Sequence, residues 1–309
     1  MPKQQTWDIY LPHFRMATPE ELRRQFHDDF RWLGAGTYKH PQGKPVFNMQ
    51  RTGPSHGADG VFAHCESVQE VDDFEWPDPD YLDFTETLGR LRQAGDFYRA
   101  SGFWSPFFHD VANFFGMENY FVKMYTHPEV VHAVTRHVVD YYVEANRRFF
   151  SAAGDEVDAF FFGNDFGTQL DLFISPAMFQ EFVYPYFRRL VTLAHQHQLK
   201  VILHSCGSIY KVIPNLIGLG VDALHPLQAR AAHMDAETLA REFHGKIAFV
   251  GGIDTQDLLV NASPDRVKEE VRRVRTLLGP GLIVSPSHEA VLPNVPPENI
   301  AAMAEAAVE

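Results

Sequence analysis

Short apolar runs alternate with amphipathic stretches over the last two thirds of the chain, from about residue 97 onward. Most of the runs are three to five residues long, and the stretches between them repeat apolar residues three or four positions apart, as helices do. Parallel strands buried on both faces and covered by helices give this alternation. The chain is therefore predicted to be an α/β protein with strands at 97–103, 158–162, 200–203, 222–224, 247–250 and 282–284.

Helix start signals follow most of these runs. Ser-Pro pairs at 175–176 and 263–264 place a capping residue before a proline at the first helical position, and Pro-Pro-Glu begins a last helix at 296. The predicted helices are 175–196, 209–218, 235–243, 263–278 and the segment from 296 onward.

The first 96 residues lack this rhythm and contain turn-forming residues throughout. The sequence Thr18-Pro19-Glu20-Glu21 predicts a helix that runs from Thr18 to about Leu33, and Val46–Met49 predicts a short strand. We interpret residues 1–96 as an irregular N-terminal extension that covers the main fold. Residues 97–309 would form that fold, and the two parts would make a single domain.

Two architectures fit the repeat. One is a (β/α)₈ TIM barrel, in which the irregular first third hides the strands that complete the ring. The other is an open, doubly wound sheet, which commonly carries Gly-x-Gly-x-x-Gly after a strand when it binds a dinucleotide. No such motif follows any strand here, and this favours the barrel.

Polar side chains follow five predicted strands in succession, at the point where each strand ends. The catalytic groups of a (β/α)₈ barrel lie at these ends, where the loops converge. The opposite ends carry no comparable residues. We therefore expect a catalytic rim that includes Asn164, Asp165, Gln169, His204, Cys206, His225, Gln228, Asp254, Gln256, His288 and Glu289.

His204-x-Cys206 is the sharpest local signal in this rim. Side chains two positions apart in an extended segment project to the same side, so an imidazole and a thiol would face one point. Zinc binds this mixture of ligands, and a catalytic zinc site uses three protein ligands. We predict His288 as the third ligand and His225 as the second choice. The competing interpretation is that Cys206 is a small buried residue with a packing role.

The composition of the chain argues against several classes of protein. The 309 residues are 45% hydrophobic and 22% charged, with a formal net charge of −13. An acidic chain without a basic face argues against nucleic acid and against anionic membrane surfaces. Two cysteines cannot form a disulfide framework, and no apolar signal core or membrane-spanning run is present, so a cytoplasmic protein is expected.

Several of these segments together resemble the uroporphyrinogen decarboxylase superfamily of (β/α)₈ barrels, over roughly residue 97 to the C-terminus. That superfamily also contains the zinc-dependent methylcobamide:coenzyme M methyltransferases. The segments are Asn164-Asp165-Phe166-Gly167-Thr168-Gln169, Ile174-Ser175-Pro176, His204-Ser205-Cys206-Gly207-Ser208, Gly251-Gly252-Ile253-Asp254-Thr255-Gln256 and Ser285-Pro286-Ser287-His288.

The resemblance implies a zinc-dependent methyltransferase or demethylase that acts on a small molecule, with zinc held by His204, Cys206 and His288. It makes Asp165 the catalytic acid, base or substrate anchor, and places Glu289 beside it in the catalytic machinery. The residues expected to bind substrate are Gln169, His225, Gln228, Asp254 and Gln256. A corrinoid would arrive on a partner protein, because this chain has no Asp-x-His-x-x-Gly segment. A homodimer is also possible.

Two departures from the family pattern qualify this expectation. The first fifty residues contain only scattered arginines where uroporphyrinogen decarboxylases carry an arginine-rich motif, so uroporphyrinogen is a poor candidate substrate. The methyltransferase branch has a later cysteine where this chain has His288, which would give the zinc site a formal charge of +1 and make it a stronger Lewis acid. The alternatives are a decarboxylase or lyase that acts on a small carboxylic acid, and a non-catalytic binding module.

Overall fold

The computed structural model describes residues 4–49, 57–288 and 290–309. The helices assigned in these residues are α1 Gln4–Phe14, α2 Pro19–Gln25, α3 Val68–Asp72, α4 Thr85–Gln93, α5 Phe107–Phe115, α6 Met117–Thr126, α7 Pro128–Ala153, α8 Pro176–Phe182, α9 Tyr184–Gln196, α10 Ile213–Leu219, α11 Ala236–Phe243, α12 Leu258–Asn261, α13 Pro264–Leu278 and α14 Pro297–Val308. The strands are β1 Phe30–Gly34, β2 Thr37–Tyr38, β3 Leu82–Asp83, β4 Tyr98–Gly102, β5 Ala159–Gly163, β6 Lys200–His204, β7 Ala223–Leu227, β8 Ala248–Ile253 and β9 Leu282–Pro286.

Seven of the described strands form one sheet in the order β1-β4-β5-β6-β7-β8-β9, and β2 pairs with β3 in a small antiparallel ribbon. The pairs β4–β5, β6–β7, β7–β8 and β8–β9 are parallel. Because parallel neighbours need a crossover connection, helices lie between these strands along the chain. The predicted α/β class and parallel sheet are confirmed.

The chain divides into two compact units. The first consists of Met1–Phe30, Phe166–Phe173 and Ile202–Glu309. Within it, Thr6 Oγ1 and Tyr10 OH on α1 donate hydrogen bonds of 2.8 Å to the carbonyls of Val291 and Val295. These bonds join α1 to the loop that precedes α14. The predicted boundary after residue 96 stays a prediction.

The second unit consists of Arg31–Asp165 and Ile174–Val201. Its core is aromatic: the side chains of Phe114, Phe149, Phe160 and Phe162 are fully buried. The Phe160 and Phe162 rings stack with their centroids 4.3 Å apart. Phenylalanine side chains therefore fill much of the core of this unit.

The six strands predicted from residue 97 onward are all present. The structure differs from the prediction in the first fifty residues. The early helix ends at Gln25 instead of Leu33, because His27 takes a left-handed φ of 55° and β1 begins at Phe30. The strand predicted at Val46–Met49 was wrong, since these residues form no strand.

The predicted helix over 175–196 is two helices, α8 and α9. Pro185 lies at the start of α9, where its ring and its missing N–H interrupt the hydrogen bonds of a continuous helix. In the described parts of the chain, no helix is both long and apolar enough to cross a membrane.

Candidate metal centre

His204 and Cys206 lie at the carboxyl end of β6. His204 is the last residue of the strand and is buried, while Cys206 is half-buried in the loop that follows. The Cys206 Sγ lies 3.4 Å from His204 Nε2. The imidazole and the thiol therefore face each other, as their spacing of two predicted.

Asp165 completes a group of three ligand-bearing side chains. It is bonded directly to Phe166, whose backbone N–H donates to the Ser205 Oγ at 3.2 Å. One ligand atom each from Asp165, His204 and Cys206 lie within 4.8 Å of one another. A carboxylate, an imidazole and a thiolate are ligands that zinc accepts, and three protein ligands are what a catalytic zinc site uses. The donor set therefore fits zinc.

His288 is not a member of this group among the described residues. Its Nδ1 accepts a hydrogen bond of 3.0 Å from the backbone N–H of Ala290. The structure thus brings together the two predicted ligands and the residue predicted as catalytic. The assignment of His288 as a ligand stays a prediction.

Two glycines let the loop of Cys206 approach the loop of Phe166. Gly207 has a φ of +81°, and a Cβ there would lie 2.4 Å from the Gly167 carbonyl oxygen. A Cβ on Gly167 would in turn lie 2.6 Å from the Ser208 carbonyl oxygen. Since only glycine fits at both places, the backbones pack directly, and Ser208 N–H donates to the Thr168 carbonyl at 2.7 Å.

His225 lies beside His204 on the neighbouring strand. The two residues are partners in the parallel register of β6 and β7. Their Nδ1 atoms are 3.0 Å apart, and both rings are buried. Burial, followed by the nearby charge of His204, lowers the pKa of His225 well below its ordinary value. Burial therefore favours the neutral form of the His225 imidazole.

Gln169 and Gln228, both predicted to bind substrate, contact each other. Gln169 Nε2 donates to Gln228 Oε1 at 3.0 Å. The same oxygen accepts a hydrogen bond of 2.9 Å from the backbone N–H of Gly207. Gln228 therefore holds the turn that carries Cys206, a role its position after a strand did not reveal.

Asp254 and Gln256 follow β8. The Asp254 carboxylate accepts from the backbone N–H groups of Gln256 at 2.9 Å and Leu258 at 3.2 Å, and it lies 3.5 Å from Arg230. Asp254 thus shapes the loop before α12, while the Gln256 side chain is exposed. Glu289 lies outside the described residues, so its predicted catalytic role stays a prediction.

Two polar residues of the second unit have partners that the sequence did not indicate. Asn164 is buried, and its amide accepts from Phe108 N–H at 2.9 Å and donates to the Ser105 carbonyl at 3.0 Å. Asp110, in the first turn of α5, accepts a 2.6 Å hydrogen bond from Tyr142 OH. Burial raises the pKa of Asp110 to about 7. The available signal was a single carboxylate within the largely apolar segment of residues 107–115.

The chain is similar to known proteins in both sequence and fold. The family described as uroporphyrinogen decarboxylase (URO-D) matches residues 58–309. A solved methyltransferase from Methanosarcina mazei is similar in structure, with a TM-score of 0.67 and 15% sequence identity over 100% of this chain and 91% of that one. No curated protein matches the sequence.

Proposed function

The chain belongs to the uroporphyrinogen decarboxylase family, a family of (β/α)₈ barrels, and we propose that it is a zinc-dependent methyltransferase of that family. The observation that carries this proposal is the group of Asp165, His204 and Cys206 at the carboxyl end of the strands. The similarity in fold to a solved methyltransferase is consistent with it. Active sites of (β/α)₈ barrels lie at this face.

Asp165, His204 and Cys206 would hold the metal and leave one coordination position for a substrate or acceptor atom. A bound zinc ion would lower the pKa of a thiol or water in that position and so favour its anionic form at neutral pH. The turn around Gly207, held by Gln228, would keep Cys206 directed at the ion. Such support of a ligand from outside the coordination shell commonly strengthens metal binding.

The charge of the donor set bears on the acceptor. The carboxylate of Asp165 and the thiolate of Cys206 carry two negative charges, which balance those of Zn²⁺, whereas the predicted set with His288 leaves a net charge of +1. A neutral centre holds a bound thiolate less tightly and leaves it the better nucleophile. This donor set therefore favours a thiol as the methyl acceptor, with the methyl group supplied by a corrinoid on a partner protein.

Metal analysis tests the proposal. We expect the protein to contain about one equivalent of zinc per chain, and His204→Ala and Cys206→Ser to lose most of it. His64→Ala is the matched control, because that imidazole is 86% exposed and pairs with Asp59. The purified zinc protein should also transfer a methyl group from methylcobalamin to a small thiol. Zinc content that is the same in all four proteins would contradict the proposal.

Decarboxylation of a small carboxylic acid is the second candidate, and membership of the uroporphyrinogen decarboxylase family favours it. Here Asp165 would supply a proton or stabilise a developing positive charge. Release of CO₂ by metal-free protein, without any methyl acceptor, would support this reaction over methyl transfer. Uroporphyrinogen remains a poor substrate candidate, because the first fifty residues have no cluster of arginines.

A further inference from the structure

The hydrogen bond between His204 and His225 joins a proposed metal ligand to a buried ring outside the ligand group. The two residues are paired in the register of β6 and β7, and their Nδ1 atoms are 3.0 Å apart. The other nitrogen of His204, Nε2, is the one that faces Cys206 Sγ, at 3.4 Å. His204 therefore uses one nitrogen toward each neighbour.

The protonation pattern of this pair follows from hydrogen-bond chemistry. A neutral imidazole has one nitrogen with a proton and one with a lone pair, so an Nδ1···Nδ1 bond needs one donor and one acceptor. A nitrogen that binds a metal must offer its lone pair. When His204 Nε2 serves as the ligand, its proton lies on Nδ1, and His225 Nδ1 must be the acceptor.

We propose that His225 is a positioning residue that accepts the His204 Nδ1–H and thereby aims the lone pair of His204 Nε2 at the metal. Histidine ligands commonly donate their second nitrogen to a partner that fixes the tautomer and the orientation of the ring. The backbone strengthens the arrangement, because the His225 carbonyl accepts a 2.7 Å hydrogen bond from Ser205 N–H. The inference rests on the proposed zinc site and gives His225 a role other than binding substrate or metal.

Two substitutions separate the acceptor from the bulk of the ring. His225→Asn keeps an acceptor oxygen near the position of Nδ1, whereas His225→Leu fills a similar volume and accepts nothing. Zinc affinity is measured by competition with a chromophoric chelator. We expect His225→Leu to weaken zinc binding about 10- to 100-fold, and His225→Asn to restore most of the loss. His64→Leu, which changes an exposed imidazole, should bind zinc as the unmodified protein does.

Nitrogen NMR of the histidine rings gives a second readout that requires no zinc and no activity. In the metal-free protein we expect His204 to carry its proton on Nδ1, and His225→Leu to shift His204 toward the other tautomer. Equal zinc affinity in the unmodified and His225→Leu proteins overturns the inference. An Asn variant as weak as the Leu variant overturns it too.

The two proposals fail in different ways. If the unmodified protein binds no zinc, the proposed function fails, while the tautomer in metal-free protein still decides whether His225 is the acceptor. A proton on His204 Nε2 in that protein refutes the acceptor role. Chemical denaturation of each metal-free variant shows whether it folds, and the NMR result on the unmodified chain stands even if the Leu variant does not.

Discussion

Asp110 should make the stability of this protein fall as the pH rises from 4 to 7. Its carboxyl lies in the first turn of α5, next to the buried residues Phe108 and Val111. Tyr142 OH donates a 2.6 Å hydrogen bond to it. Burial raises its pKa from the ordinary value of 3.8 to about 7, although the hydrogen bond from Tyr142 acts in the opposite direction. Between about pH 4 and pH 7, the folded protein therefore keeps a proton on Asp110 that the unfolded chain has lost.

The size of the effect follows from linkage. Between the two pKa values the folded state binds one proton more than the unfolded state, so the free energy of unfolding falls by about 1.4 kcal/mol per pH unit. The contribution of Asp110 is fully present below the unfolded pKa and is lost as the pH passes the folded one. Over the whole window the change is on the order of 4 kcal/mol.

Asp110→Asn tests this reasoning, because the amide does not titrate and its oxygen can still accept from Tyr142 OH. Urea denaturation of both proteins at several pH values and constant salt gives the difference in their free energies of unfolding. We expect the variant to gain about 1.4 kcal/mol per pH unit relative to the unmodified protein from pH 5 to 7, and to gain nothing more above pH 8.

The control is Asp8→Asn, whose exposed carboxyl accepts only a surface hydrogen bond from Gln4 among the contacts described. Its difference from the unmodified protein should stay nearly constant over the same range. A difference that is equally flat for Asp110→Asn would refute the reasoning, since it would mean that Asp110 is already ionised at pH 5 in the folded protein.

Three further substitutions test a close backbone contact, a buried aromatic ring and a helix cap. Gly207→Ala should destabilise the protein by about 1–3 kcal/mol and weaken zinc binding, because the new Cβ would lie 2.4 Å from the Gly167 carbonyl oxygen; denaturation and chelator competition measure both. Phe160→Ala should cost about 3–5 kcal/mol in a denaturation experiment, because it removes a fully buried ring stacked on Phe162. Thr18→Ala should cost about 1 kcal/mol by the same measurement, since it removes the side chain that caps α2; no loss would show that the cap contributes nothing.

The strands after residue 97 could be predicted because most of them are short apolar runs. A strand that is buried on both faces is apolar at consecutive positions, so its own sequence shows the burial. The helix over 175–196 shows the limit of such patterns: its amphipathic spacing continues through Pro185, yet the backbone breaks there into α8 and α9. The strand at Val46–Met49 failed for a related reason. A short apolar segment becomes a strand only when a neighbouring strand pairs with it, and its own residues do not show whether one does.

The sequence by itself determined the α/β class, the parallel sheet and the pairing of His204 with Cys206, since spacing and burial are properties of one segment. Only the tertiary structure decided that Asp165 joins them, that His225 contacts His204 and that Gln228 holds the turn at Gly207. These contacts join residues that are 21 to 41 positions apart in the chain. The distance between two side chains on different strands depends on how the strands pair and how their loops pack, and no local pattern contains that information.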